Sequence, residues 1–131
     1  MSRKQIGQLG FAEAGLEVRR SGVVDRLGRI DALIDWSGFA SVLESVYRSR
    51  RGEPAYPPLA MFKVLLLQRW YALSDPAMEE ALADRLSFRR FVGLSLSDPT
   101  PDHTTIHRFR DRLSREGRLD ALMAELARQL D

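Results

Sequence analysis

The chain has 131 residues, 44% of them hydrophobic and 29% charged, which suffices for one core under a well-solvated surface. It contains no cysteine, which excludes a disulfide framework and any thiolate metal site. The formal net charge is only +2, although 18 of the 20 basic residues are arginine. Arginine suits phosphate forks and guanine edges, but a GC-rich genome enriches it as well, so composition permits nucleic-acid binding without arguing for it.

Residues 1–22 show no periodicity and hold Gly7, Gly10, Gly15 and Gly22, which reads as a flexible N-terminal arm. They include no continuous apolar run, so the start is not that of a secretory signal. The remainder, 23–131, is expected to form one helical domain. Leu27, Ile30, Leu33 and Ile34 repeat at helical spacing within a first helix over 24–34. A second is expected over 37–48, its stripe formed by Trp36, Phe39, Ala40, Leu43, Val46 and Tyr47. Gly52, Pro54, Pro57 and Pro58 break it, and the two adjacent prolines suit the first turn of a third helix over 58–73.

That third segment contains the longest apolar stretch, LAMFKVLLLQRWYAL. It carries Lys63, Gln68 and Arg69 and falls short of the roughly 20 apolar residues of a membrane span, so it is expected to be a central core helix. No membrane partner is expected. Ser74 or Asp75 is placed to cap a fourth helix, with Pro76 in its first turn and Glu79 and Glu80 towards the positive end of its dipole. Met78, Ala81, Leu82 and Leu86 form its buried face. SFRRFVG (87–93) is short enough to be one more helical turn, and SLSDPTPD is a connector. Asp102 then caps a helix over 103–115 that ends at Gly117, and Leu119, Leu122, Met123, Leu126 and Leu130 mark the last one. No segment alternates with period two. The fold class is therefore all-α, a compact bundle of about six helices.

The helix after Asp102 carries the chemistry. At 100° per residue Ile106, Phe109 and Leu113 fall within roughly 60° and define a buried face. The opposite face presents Thr104, His107, Arg108, Asp111 and Arg115, with Arg110 and Arg112 on the flanks and Thr105 beside Thr104 in the first turn. Such a helix can offer donors to base edges while its arginines hold phosphates and set the register. Its free N-terminal amides can also take a phosphate. The helix over 75–86 would support it in a helix-turn-helix-like arrangement, although the connector exceeds the 3–4 residues of a simple one. A second basic cluster, Arg85, Arg89 and Arg90, would extend the phosphate surface. The competing reading of both groups is a solvated face, with Asp111 and Glu116 pairing locally.

His103, His107 and Asp111 follow one another at metal-ligand spacing, but the chain holds no other histidine and no cysteine to complete a site, and no metal is expected. No phosphate-cradling glycine loop, nucleophile elbow or acid–base carboxylate pair is found. Neither a cofactor nor an enzymatic activity is expected of this chain.

Three stretches together resemble a known family. EPAYPPLAMFKVLLLQRWYALSD (53–75), EEALADRLSFRRFVGLSL (79–96) and PDHTTIHRFRDRL (101–113), in this order, are similar to the N-terminal domain of insertion-sequence-five family, DDE-type bacterial transposases. The resemblance covers about residues 35 to 115. It implies a helical domain that binds double-stranded DNA at the terminal inverted repeats of a mobile element and helps bring transposase subunits together. A homo-oligomer or a full-length transposase is the implied protein partner, and the bacterial cytoplasm the implied location. In that family a ribonuclease-H-like domain follows, whose Asp, Asp and Glu hold metal ions. No residue here matches that triad, and the catalytic domain is expected to be absent. The alternative from another class is a protein-interaction module, in which the Trp36–Tyr47 stripe and the last helix supply uncovered apolar faces.

Overall fold

The computed structural model describes residues 26–49 and 56–130. Among them are seven α-helices, one short 3-10 helix and no strand. They are α1 (Arg26–Leu33), the 3-10 helix (Trp36–Phe39), α2 (Ala40–Ser49), α3 (Pro58–Trp70), α4 (Asp75–Asp84), α5 (Leu86–Val92), α6 (His103–Arg115) and α7 (Arg118–Leu130). The all-helical expectation holds. One more α-helix appears than expected because the short SFRRFVG segment closes a helix of its own. The arm expected over 1–22 lies outside the described residues.

The centre is α3. Every residue from Ala60 to Leu67 is buried, Lys63 included, and the helix packs against α2, α4, α5 and α6. An amphipathic helix has one face to cover, whereas this one is apolar nearly all round and is covered nearly all round. Pro58 sits in its first turn, where a missing N–H costs nothing. It ends earlier than the sequence suggests, at Trp70. The Leu73 amide reaches back to the Gln68 carbonyl and the Tyr71 amide to that of Leu67, closing a left-handed cap. Ala72 occupies the left-handed position, φ 54°, where glycine is the usual residue.

The second expected helix divides in two. Asp35 accepts hydrogen bonds from both the amide and the hydroxyl of Ser37, which tightens residues 36–39 into a 3-10 turn before α2 begins. Phe39, Leu43 and Val46 from the Trp36–Tyr47 stripe are buried, while Ala40 is exposed. Three residues of the stripe that the protein-interaction reading requires as an uncovered face are thus core, and Trp36 is half-buried. The last helix likewise buries Leu122 and Leu126 against α6, α2 and the 3-10 helix, and leaves Leu130 exposed near its end. Residues 35 and 129 meet directly. The Asp35 amide donates to the Gln129 side-chain oxygen at 2.7 Å, and the Gln129 side-chain amide donates to the Asp35 carbonyl at 2.9 Å.

One buried cation of this core is Lys63. Lys63 Nζ donates to Asp31 Oδ1 at 3.0 Å and lies 4.5 Å from the centre of the Trp36 ring and 5.3 Å from that of Phe91. Trp36 Nε1 donates to the same oxygen at 2.8 Å, so a single carboxylate of α1 anchors both. Among the described residues no helix is long and apolar enough to cross a membrane.

Candidate functional site

The α6 helix is built as its sequence indicates. Asp102 caps it, its carboxylate accepting the Thr105 amide at 2.8 Å, and this hydrogen bond holds the Asp102 carboxyl below its ordinary value. Ile106, Phe109 and Leu113 are all buried against α3, α4 and α7. Burying three such side chains contributes on the order of several kcal/mol, which makes α6 a fixed part of the core. The expected outward face is exposed: Thr104, His107, Arg108, Asp111 and Arg115 all point to solvent, and Thr105 is half-buried.

A set of polar contacts with α4 then fixes how α6 sits. The α4 N-cap is Ser74, whose hydroxyl accepts the Ala77 amide at 3.2 Å. Asp75 is thereby free to face α6. Its two oxygens take both guanidinium nitrogens of Arg110, at 2.8 and 2.7 Å. Gln68 donates to Asp75 and accepts from Arg110 at 3.1 Å, and His107 Nδ1 stands 3.8 Å from Asp75. The Arg110 guanidinium holds the Asp75 carboxyl at about 2, well below the usual carboxylate range, and Asp75 in turn raises Arg110. One turn along α4, Glu79 accepts both the main-chain amide and the Nδ1 of His103, each at 2.7 Å. The hydrogen bond from His103 lowers Glu79, and the same bond raises His103.

These contacts redistribute the residues expected to bind a ligand. Arg110 is committed to α4. Arg112 pairs with Glu116 at 3.7 Å and Arg115 with Asp111 at 3.0 Å, as expected for local pairing on a helix. The α6 amides expected to be open to a phosphate are partly used, since those of His103 and Thr105 already meet the carboxylates of Glu79 and Asp102. Arg108 is exposed and has no ion pair among the described residues. Thr104, His107 and Arg108 therefore remain as the outward donors of the first two turns.

The second expected cluster is dispersed. Arg85 is exposed and stacks over Phe88, 4.9 Å from the ring centre, and Arg90 is half-buried. Arg89, expected on that surface, is 7% exposed. Its guanidinium donates to the main-chain carbonyls of Leu82 at 3.1 Å, Ser95 at 2.6 Å and Asp98 at 2.9 Å. Three carbonyls of the α4 end and the following loop converge on one cation, so Arg89 holds the connector in place and is not presented outward. Gly93 makes this possible: its left-handed φ of 94° ends α5 and turns the chain towards Ser95 and Asp98. No group of three or more His, Cys, Asp or Glu among the described residues could hold a metal ion, His103, His107 and Asp111 included.

Asp75, Gln68 and Glu79 are the functional-site residues that sequence reasoning missed. Asp75 and Glu79 read as cap and dipole acids, and their spacing of one helical turn is the signal that they share a face. What that face meets, 24 to 35 residues away, is not written in any local pattern.

A family model described as Transposase domain (DUF772) matches residues 17–112, a span that includes α3, α4, α5 and most of α6. No solved structure matches the chain.

Proposed function

This chain belongs to the transposase domain family DUF772, and from that membership we propose that it is the DNA-binding, N-terminal part of an insertion-sequence transposase of the insertion-sequence-five, DDE type. In this reading α6 enters the major groove of the element's terminal inverted repeats, with α4 as its supporting helix in a helix-turn-helix-like pair. Thr104, His107 and Arg108 contact base edges and nearby phosphates. Arg112, Arg115 and Arg90 contribute to the positive surround. Arg110 and Arg89 act indirectly, by fixing α6 and the connector. The chain works in the cytoplasm with further copies of itself or with a full-length transposase, and none of its own residues is assigned a catalytic role.

The observation that carries the reading is the outward face of α6. It displays an arginine with no ion pair among the described residues, a histidine and a threonine on a helix whose other sides are fixed by the core and by Asp75. Direct readout needs that combination of exposed donors on a rigid element. The deciding experiment is titration of fluorescent duplexes, terminal repeat against scrambled sequence, at several salt concentrations. The terminal repeat should bind more tightly, with about 0.9 added to the log–log salt slope for each phosphate contact. Arg108→Ala should weaken it by about 1–3 kcal/mol. Equal affinity for both duplexes, or an unchanged affinity for Arg108→Ala, rejects α6 as the reader.

A further inference from the structure

A cavity of about 240 Å³ opens between α3, α6 and α7. Phe62, Leu66 and Met123 contribute to its apolar walls, and Gln68, Arg69 and Arg110 are its polar lining. The scale is that of a small organic molecule, since a cavity of about 150 Å³ already accommodates benzene.

The charges on the lining are unequal in a way that specifies a ligand. Arg110 is neutralised by its two-pronged contact with Asp75, and Gln68 is taken up in the same network. Arg69 has no hydrogen bond or ion pair to its guanidinium among the described residues, and no carboxylate lines the cavity. An apolar chamber with one unanswered cation calls for one apolar body bearing one anionic group. We propose that this cavity is a binding site for a compact amphipathic carboxylate, its ring or short chain held among Phe62, Leu66 and Met123 and its carboxylate by Arg69. The site is separate from the outward α6 face assigned to DNA, although Arg110, which lines the cavity, also fixes α6 against Asp75.

The test uses hydrocinnamate and its neutral counterpart hydrocinnamyl alcohol, titrated into the whole chain while the main-chain amide resonances are followed by NMR. Hydrocinnamate should shift resonances of α3, α6 and α7 saturably. Arg69→Gln, a change at an exposed side chain, should weaken hydrocinnamate about tenfold or more and leave the alcohol within about twofold, because only the acid loses a charge-assisted hydrogen bond. Met123→Trp, which fills the chamber, should abolish both. Failure of hydrocinnamate to shift those helices overturns the proposal, as does equal affinity for the acid in wild type and Arg69→Gln. The Arg69→Gln comparison decides the matter if Met123→Trp does not fold.

Discussion

Arg89 and Arg110 are both arginines on amphipathic helices, and the fold answers them in opposite ways. Arg89 in α5 is buried and surrounded by main-chain carbonyls, dipoles that neither titrate nor leave. Arg110 in α6 is about one-third exposed and is answered by a carboxylate, a full charge that a proton can remove. The first arrangement does not depend on pH, and removing the cation takes a donor from three carbonyls at once, of which only that of Ser95 keeps another, the Asp98 amide, among the contacts described. The second is strong near neutrality and conditional on pH and salt. The connector is thus locked by geometry, and the α6 helix is docked by charge.

The largest expected effect tests the locked side. Arg89→Met should cost about 3 kcal/mol in chemical denaturation, because buried carbonyls lose their donor. A loss below about 1 kcal/mol would mean that water replaces the guanidinium. Next comes the docked side. Asp75→Asn should cost about 1–2 kcal/mol at neutral pH. The Asp75 carboxyl is lowered from 3.8 to about 2, so its stabilisation is present above about pH 4 and lost as pH falls towards 2. The gap between wild type and Asp75→Asn should close over that window, and a gap independent of pH would break the comparison.

Lys63 is intermediate, a buried cation answered by a partly exposed carboxylate and two aromatic rings. Lys63→Met should cost about 1 kcal/mol, since Asp31 keeps Trp36 as donor and can hydrate. A loss as large as that of Arg89→Met would place it with the locked group. The smallest effect concerns His103. Its pKa is raised above the ordinary 6.5 by Glu79, so their pairing is present below the ordinary value and lost as pH rises through the raised one. In Glu79→Gln the NMR titration midpoint of His103 should fall back towards 6.5. A midpoint that does not move would show that the α4 carboxylate is not its partner in solution.

The same contrast explains how much was legible beforehand. The centres of the longer helices were readable, because apolar spacing reports burial directly, and Ile106, Phe109 and Leu113 are buried as their spacing requires; seven residues of α5 are too few to show a period. The Asp102 cap was readable because capping is local. The fates of the arginines were not. Arg89, Arg90, Arg108, Arg110 and Arg112 look alike in sequence, and what separates them is which carbonyl or carboxylate arrives from elsewhere in the chain. Lys63 reads as a reason to reject a membrane span, and nothing near it names Asp31, 32 residues away, as its partner.

The clasp between Asp35 and Gln129 has a kinetic consequence. It joins groups 94 residues apart, and the loop it closes contains almost the whole fold. The entropy of closing so long a loop is recovered only once the intervening helices have collapsed, so this contact is expected to form late, after the folding barrier has been crossed. Its strength therefore bears on how slowly the molecule opens and hardly at all on how fast it folds. Two hydrogen bonds from one side chain to the main chain at the edge of the fold are thus expected to act as a brake on unfolding.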